Sequence, residues 1–432
     1  MSRLDELIQQ YCPDGVEFVP LWSVTIWDKK FNSVDKKKQP KVIPYPYLLA
    51  KDMFALQQED GDVFLLSTGE QTGWTTEEIA GGFLCEGEVV SIPWGKSRKV
   101  SEVMKYYKGK FVTADNRIAT ASDTSILSNK YLYYWMMSQG ELIDSFYRGS
   151  GLKHPSMKDV LDMKMPLPPL EVQSEIVRIL DNFTELTAEL TAELTARKKQ
   201  YEFYRYKLLE HPKNESRMVA VGDLGKWSGG KTPSTANKDF WEGGTIPWIS
   251  SKDMKAPTLE DTEDHLTEKA LTDGGMTLLP EGVVAVVTRS GILKHTFPVA
   301  YVPFRTTVNQ DIKALVVKDG ISSRYVFHAL QAYAEDIRKS TKKQGGTVDS
   351  LDFQRVLAYE IPVPTLDVQK RLVDVLDNFD AICSDLKIGL PAEIEARQKQ
   401  YEFYRDALLT YAATGKTILT DRQTDRQTDR RV

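Results

Sequence analysis

Three stretches of this 432-residue chain hold residue types that do chemistry in the right setting. Gly225-Lys226-Trp227-Ser228-Gly229-Gly230-Lys231-Thr232 has the spacing of a phosphate-binding loop, which works when a helix starts at the Lys-Thr pair and aims its first amides at phosphate. Pro233-Ser234-Thr235-Ala236-Asn237 follows instead, with no helical stripe, and no apolar strand ending in Asp comes after it. Nucleotide binding is therefore not expected there. Phe146-Tyr147-Arg148-Gly149-Ser150-Gly151 is too long by one residue for the Phe-x-Gly-x-Gly turn of a base methyltransferase, and the sequence has no Asn-Pro-Pro-Tyr-like tetrad. Asp162-Met163-Lys164 offers half of a nuclease site, but an internal repeat places Ala358-Tyr359-Glu360 at the corresponding position, so these read as solvated strand residues. Cys12, Cys85 and Cys383 are scattered, the five histidines are isolated, and neither set makes a metal cluster.

What remains is binding chemistry. Lys96, Arg98 and Lys99 beside Trp94, Arg148 with Lys153 and His154, and Arg338 with Lys342 and Lys343 are basic groups among glycines and aromatics, suited to phosphate oxygens. Lys231, Thr232, Arg289 and Lys294 join them as DNA-contact candidates in the second half of the chain. Asn116-Arg117 and Asn309-Gln310 follow Thr113 and Thr307 at matching places, where amides either read adenine edges or cap backbone. Asn116, Arg117 and Gln310 complete the candidate DNA set. The net charge of −5 is spread as −2 over 1–165, −2 over 166–212, 0 over 213–360, −2 over 361–416 and +1 beyond. A DNA surface must then be a local patch, or be supplemented by a partner.

The elements that position these groups come twice. Pro166-Leu167-Pro168-Pro169-Leu170-Glu171-Val172-Gln173 and Ile179-Leu180-Asp181-Asn182-Phe183 return 196 residues later as Pro362-Val363-Pro364-Thr365-Leu366-Asp367-Val368-Gln369 and Val375-Leu376-Asp377-Asn378-Phe379. Lys199-Gln200-Tyr201-Glu202-Phe203-Tyr204-Arg205 recurs letter for letter 200 residues on. Ile176, Leu180, Phe183, Leu186, Leu190 and Leu194 make one apolar stripe at helical spacing, on a helix of roughly forty residues spanning about 60 Å. Such a stripe needs a partner, and the other copy is the obvious one. The second copy carries Gly389-Leu390-Pro391, which predicts a break, where the first has Thr-Ala-Glu-Leu twice from Thr187 to Leu194. Between the copies, short strands are expected at 63–66, 88–92, 111–113, 246–249, 282–288 and 312–317, with helices at 131–146 and 324–339 and a short amphipathic helix carrying Leu4, Leu7 and Ile8.

The fold expected is α+β: two similar globular domains, 1–165 and 213–360, separated by two long antiparallel helices forming a coiled coil from the segments 166–212 and 361–416, with pseudo-two-fold repetition. The Thr-Asp-Arg-Gln tail, 417–432, has nothing to bury and is expected to be disordered. No run of apolar residues suits a membrane, and Met1-Ser2-Arg3-Leu4 does not open a signal peptide, which points to the cytoplasm. Tyr201, Phe203, Tyr204 and Arg205, with Tyr401, Phe403, Tyr404 and Arg405, sheathe more than one side of their helices, which suggests contact with another protein.

The Pro-x-Pro-x-Leu-x-x-Gln pattern, the Gln-Tyr-Glu-Phe-Tyr-Arg block and the Thr-Ala-Glu-Leu tandem together resemble the specificity subunit of type I restriction–modification enzymes, in the branch with such spacer repeats. The resemblance implies a non-catalytic subunit that binds double-stranded DNA through two target-recognition domains, one per half of a split sequence, and binds no cofactor itself. It also implies two modification (methyltransferase) subunits carrying S-adenosylmethionine, docked on the helices at the aromatic blocks and at Gln173 and Gln369, and two restriction (motor/nuclease) subunits using ATP and Mg. A stand-alone DNA-modifying enzyme and a DNA-free structural adaptor are the competing readings.

Overall fold

The computed structural model describes residues 3–95, 98–150, 153–210, 216–343, 348–384 and 389–414. Pro168 and Pro169 have no N–H to donate, and the Val172 and Gln173 amides both donate to the Pro169 carbonyl, opening a 40-residue helix over Leu170–Leu209. In the second copy the Gln369 amide donates to the Thr365 carbonyl and opens Leu366–Ser384; Leu390–Thr414 is a separate helix. Pro391 stands in the first turn of that helix, where its missing N–H costs nothing. The break expected at Gly389-Leu390-Pro391 corresponds to the start of this second helix at Leu390; residues 385–388 and the repeat tail, 417–432, lie outside the described residues.

The chain forms two compact units, Met1–Glu189 with Ile394–Val432, and Leu190–Glu393. The segments expected as connectors are thus shared between two cores. In the first unit Leu4 and Ile8 of the helix Arg3–Tyr11 join Val172, Ile176 and Leu180 with Leu409 and Ala412. Phe183 stacks on Tyr404 at 5.4 Å, and Leu180 shares its core with Leu409 and Ala412. In the second unit Tyr201 stacks on Phe379 at 5.9 Å in a core that includes Leu209 and Leu376.

Among the described residues the first unit holds a six-stranded sheet in the order Thr25–Trp27, Asn116–Ala121, Cys85–Pro93, Lys105–Thr113, Val63–Leu66, Trp74–Thr75. Its pairs are antiparallel except Val63–Leu66 with Lys105–Thr113. The second unit has Gly225–Gly229, Ile312–Val317, Val283–Val287 and Val299–Val302 in one antiparallel sheet, and Asp264–Leu266, Ile246–Ile249 and Thr307–Val308 in another. Val283–Val287 is buried throughout, which is why it reads as an unbroken apolar run. The glycines of the apparent phosphate loop have a packing reason: a Cβ on Gly225 would lie 2.1 Å from the Val316 carbonyl oxygen, and one on Gly230 only 1.6 Å from that of Val308. The loop is a strand and a tight crossing, not the turn into a helix.

The two long domain helices are each two. Asn129–Ser138 gives way at Gln139 to Gly140–Ser145, and Ser323–Ala332 gives way at Tyr333 to Ala334–Thr341. Each domain closes on itself, because its entry strand pairs antiparallel with its exit strand: Phe18–Pro20 with Lys164–Pro166, and Arg217–Ala220 with Glu360–Val363.

Candidate nucleic-acid interface

In the first unit the end of the strand Cys85–Pro93 delivers Trp94 to the surface. The Arg117 guanidinium lies 3.9 Å from its ring centroid, and His154 stacks on it at 4.2 Å with Nδ1 3.0 Å from the Trp94 carbonyl oxygen. A two-residue ribbon pairs Arg148 with His154, so exposed Arg148 and Lys153 sit beside this stack. Arg98, also exposed, is paired with Glu70, and Lys99 is exposed; Lys96 lies outside the described residues. Burial raises the carboxyl of Asp28 despite the opposing pull of the Ile118 amide, Lys29 and Arg117.

Two expectations for this patch are corrected. Asn116 is buried, and its Nδ2 donates to the Leu66 carbonyl at 2.9 Å and to Thr113 Oγ1 at 3.2 Å, so it ties strands together and has no free edge for adenine. Arg117 is buried as well, with Nη1 bonded to Asp115 at 2.9 Å. It props Trp94 and is not itself a surface cation.

In the second unit Trp241 and Trp248 meet edge to face at 5.1 Å and line an open cleft of about 610 Å³ with Thr232, Ser251, Lys252 and Asn309. Both indole N–H groups are spent on one loop, Trp248 donating to the Lys231 carbonyl and Trp241 to that of Ser234, each at 3.1 Å. That loop holds exposed Lys231 and Thr232, whose hydroxyl donates to exposed Gln310 at 2.7 Å. Asp311 links Gln310 to exposed Arg289, 4.0 Å away. Lys294 and Lys343 are exposed nearby in sequence to their groups, and Lys342 is paired with Asp349 at 2.8 Å. Arg338 is the exception: it donates to Glu335 and to the Leu293 and Lys294 carbonyls, and that hydrogen bond, with Lys339, holds Glu335 down to about 2. Its guanidinium is committed within the unit.

Of the helical contact set, Phe203 and Tyr204 are 57% and 43% exposed, and Phe403 is also exposed. The neighbouring rings in both copies cross at 74°. Tyr201 is buried in its own unit, Arg205 lies 5.0 Å over that ring and donates to Gln331, and Tyr401, Tyr404 and Arg405 pack or bond within the first unit. Gln173 and Gln369 are corrected outright, being buried and bonded to their own chain.

The sequence reading missed a pair of latches. Lys130 Nζ and the Tyr134 hydroxyl both donate to Asp181, at 2.7 and 2.6 Å. At the repeat positions Arg324 Nε and His328 Nε2 contact Asp377 at 2.8 and 2.7 Å. His328, Asp377 and Asp380 form a gathering of cation ligands, but the Arg324 guanidinium already lies among them. The matching Ser-Asn-Lys-Tyr at 128–131 and Ser-Ser-Arg-Tyr at 322–325 was the available signal.

A family model for the type I restriction modification DNA specificity domain matches residues 49–197 and 213–396. The chain belongs to the type I restriction–modification specificity family. The EcoR124I/EcoR124II specificity subunit of Escherichia coli is 41% identical over 303 residues, 68% of this chain and 74% of that protein. A putative type I specificity subunit of Haemophilus influenzae is 27% identical over 78% of this chain and 86% of its own. The solved S subunit of M. genitalium covers 92% of this specificity subunit and 96% of its own chain with a TM-score of 0.52 at 14% identity; a chain from a study of type I complex assembly and conformational transition gives 0.57 at 16%, over 93% and 98%. These structures share the fold. No described helix is long and apolar enough to cross a membrane.

Proposed function

We propose that this specificity subunit reads a bipartite duplex target, one half-site per compact unit, and performs no bond-making step itself. The observation that carries the reading is that each domain is closed by its own entry–exit strand pair and latched to its helix by repeated groups, so each behaves as one complete reading cassette. Exposed Arg148, Lys153, Lys231, Arg289 and Lys343 supply phosphate contacts, with Trp94 and the Trp241–Trp248 cleft as the aromatic ground around them. Two modification subunits bring S-adenosylmethionine, and two restriction subunits bring ATP and Mg. The test is exchange of residues 25–150 or 226–345 for those of a relative, followed by mapping of methylated adenines in cells that also carry the modification subunit. One half of the recognised sequence should change and the other stay; a swap that alters both halves overturns the reading.

The exposed aromatic pair Phe203 and Tyr204 is the surface offered to the modification subunit. Replacing both with Ala should lower co-purification with that subunit about tenfold or more, while folded stability changes by less than about 0.5 kcal/mol. Tyr404→Ala differs, because its ring stacks on Phe183; it should cost the first unit about 1–2 kcal/mol, read from a denaturant midpoint.

A further inference from the structure

We propose that Gln173 and Gln369 are positioning residues, each fixing the attitude of one globular domain on its helix and thereby setting how narrowly the spacer of the DNA target is accepted; the inference rests on the bipartite reading above. Gln173 is fully buried. Its Oε1 accepts the Ser128 amide at 2.9 Å, and its Nε2 donates to the Ile126 and Pro168 carbonyls at 2.8 and 2.7 Å. Ser128 is the N-cap of the domain helix Asn129–Ser138, and Pro168 belongs to the turn that launches the long helix. One side-chain amide therefore joins domain to helix with donor and acceptor both used. Gln369 repeats this, accepting from Ser322, the N-cap of Ser323–Ala332, at 2.8 Å and donating to Pro364 at 2.8 Å.

The apolar core holding domain to helix (Val172, Ile176 and Leu180 in the first unit) supplies most of the adhesion, but burial of apolar surface has no preferred direction. Hydrogen bonds do. The latch at Asp181 lies eight residues along, about 12 Å, so each domain is pinned at two separated points and cannot swivel on its greasy contact. Removing the amide at one point should leave the domain docked and free to turn. A one-base-pair change of spacer rotates one half-site by about 34° relative to the other, and a domain free to turn absorbs part of that.

The experiment uses the full chain assembled with its modification subunit, and a plasmid library holding both half-sites constant while the spacer varies. Gln173→Met and Gln369→Met are the variants, because Met fills the same volume without the amide. In the wild type one spacer should dominate. In each variant the preference over spacers one base pair longer or shorter should fall about tenfold, the scale of one to two lost hydrogen bonds, with the half-site bases unchanged. Faster exchange of the Ser128 or Ser322 amide proton should accompany it. Unchanged spacer preference with lowered stability would overturn the proposal and leave the amides purely structural; altered half-site bases would assign them to readout instead. If neither variant folds, positioning is likewise overturned. A wild type with no spacer preference would instead defeat the bipartite reading on which the proposal stands.

Discussion

Deleting one Thr-Ala-Glu-Leu unit should shift the preferred spacer to about one base pair shorter and leave the half-site bases as they were. The tandem, Thr187 to Leu194, lies inside an unbroken helix, and the division between the two compact units falls within it, between Glu189 and Leu190. None of its eight side chains is fully buried, Leu194 being partly buried against the core of the second unit, and the Thr187 and Thr195 hydroxyls bond back to the Phe183 and Thr191 carbonyls. The helix shortens by about 6 Å and its far end turns by roughly 40°. Base pairs rise about 3.4 Å and turn about 34°, so the rotation favours one base pair of compensation over two. Methylation at the original spacing should fall at least about tenfold, because the DNA would have to be deformed to fit. Adenine methylation mapped in cells carrying the deletion checks this; an unchanged spacer would mean that the helix does not set the distance.

The second large effect is expected at Asp377. Asp377→Ala should destabilise the second unit by about 2–4 kcal/mol, since it strips the acceptor from the Arg324 guanidinium and from a fully buried His328 at once. Asp181→Ala should cost roughly half as much, about 1–2 kcal/mol, because Lys130 is partly exposed and can turn to water. Burial alone would raise the carboxyl of Asp377, and the His328 hydrogen bond together with the Arg324 charge more than reverses that, leaving it below its ordinary value. A carboxylate depressed in the folded state stabilises it above about pH 3.9 and loses that contribution as pH falls through the lower folded value. The wild type should therefore lose the latch only in strong acid, and Asp377→Ala should flatten that acid limb. Denaturant midpoints measured from pH 7 to 2.5 decide it; parallel acid limbs would show that Asp377 does not carry the effect.

Much of the architecture was legible because it is repeated. The proline turn, the long helix and the strands at 63–66, 246–249 and 312–317 are where periodicity puts them. Val299–Val302 escaped because Pro298 and Pro303 bracket it and mimic loop punctuation. Direction was the harder matter. A glutamine repeated at the same place in two copies is equally consistent with facing a partner or facing inward, and Gln173 is settled only by Ser128 and Ile126, some 45 residues upstream. Asn116 misled in the same way, its amide consumed by a carbonyl 50 residues away. The aromatic blocks were read on too many sides at once: Tyr201 faces inward, while Phe203 and Tyr204 face out.

The division of the chain bears on how it is made. Leu190–Glu393 is one continuous stretch, whereas the other unit needs Ile394 onward to complete a core that includes Leu4 and Ile8. At about 5–20 residues per second, the amino-terminal portion emerges from the ribosome some 10–40 s before the helix that finishes it. During translation the later-encoded unit can close first, and the earlier one must keep the seats of Leu409 and Ala412 unfilled until the last helix arrives. Order along the gene and order of completion can thus be opposite in this molecule.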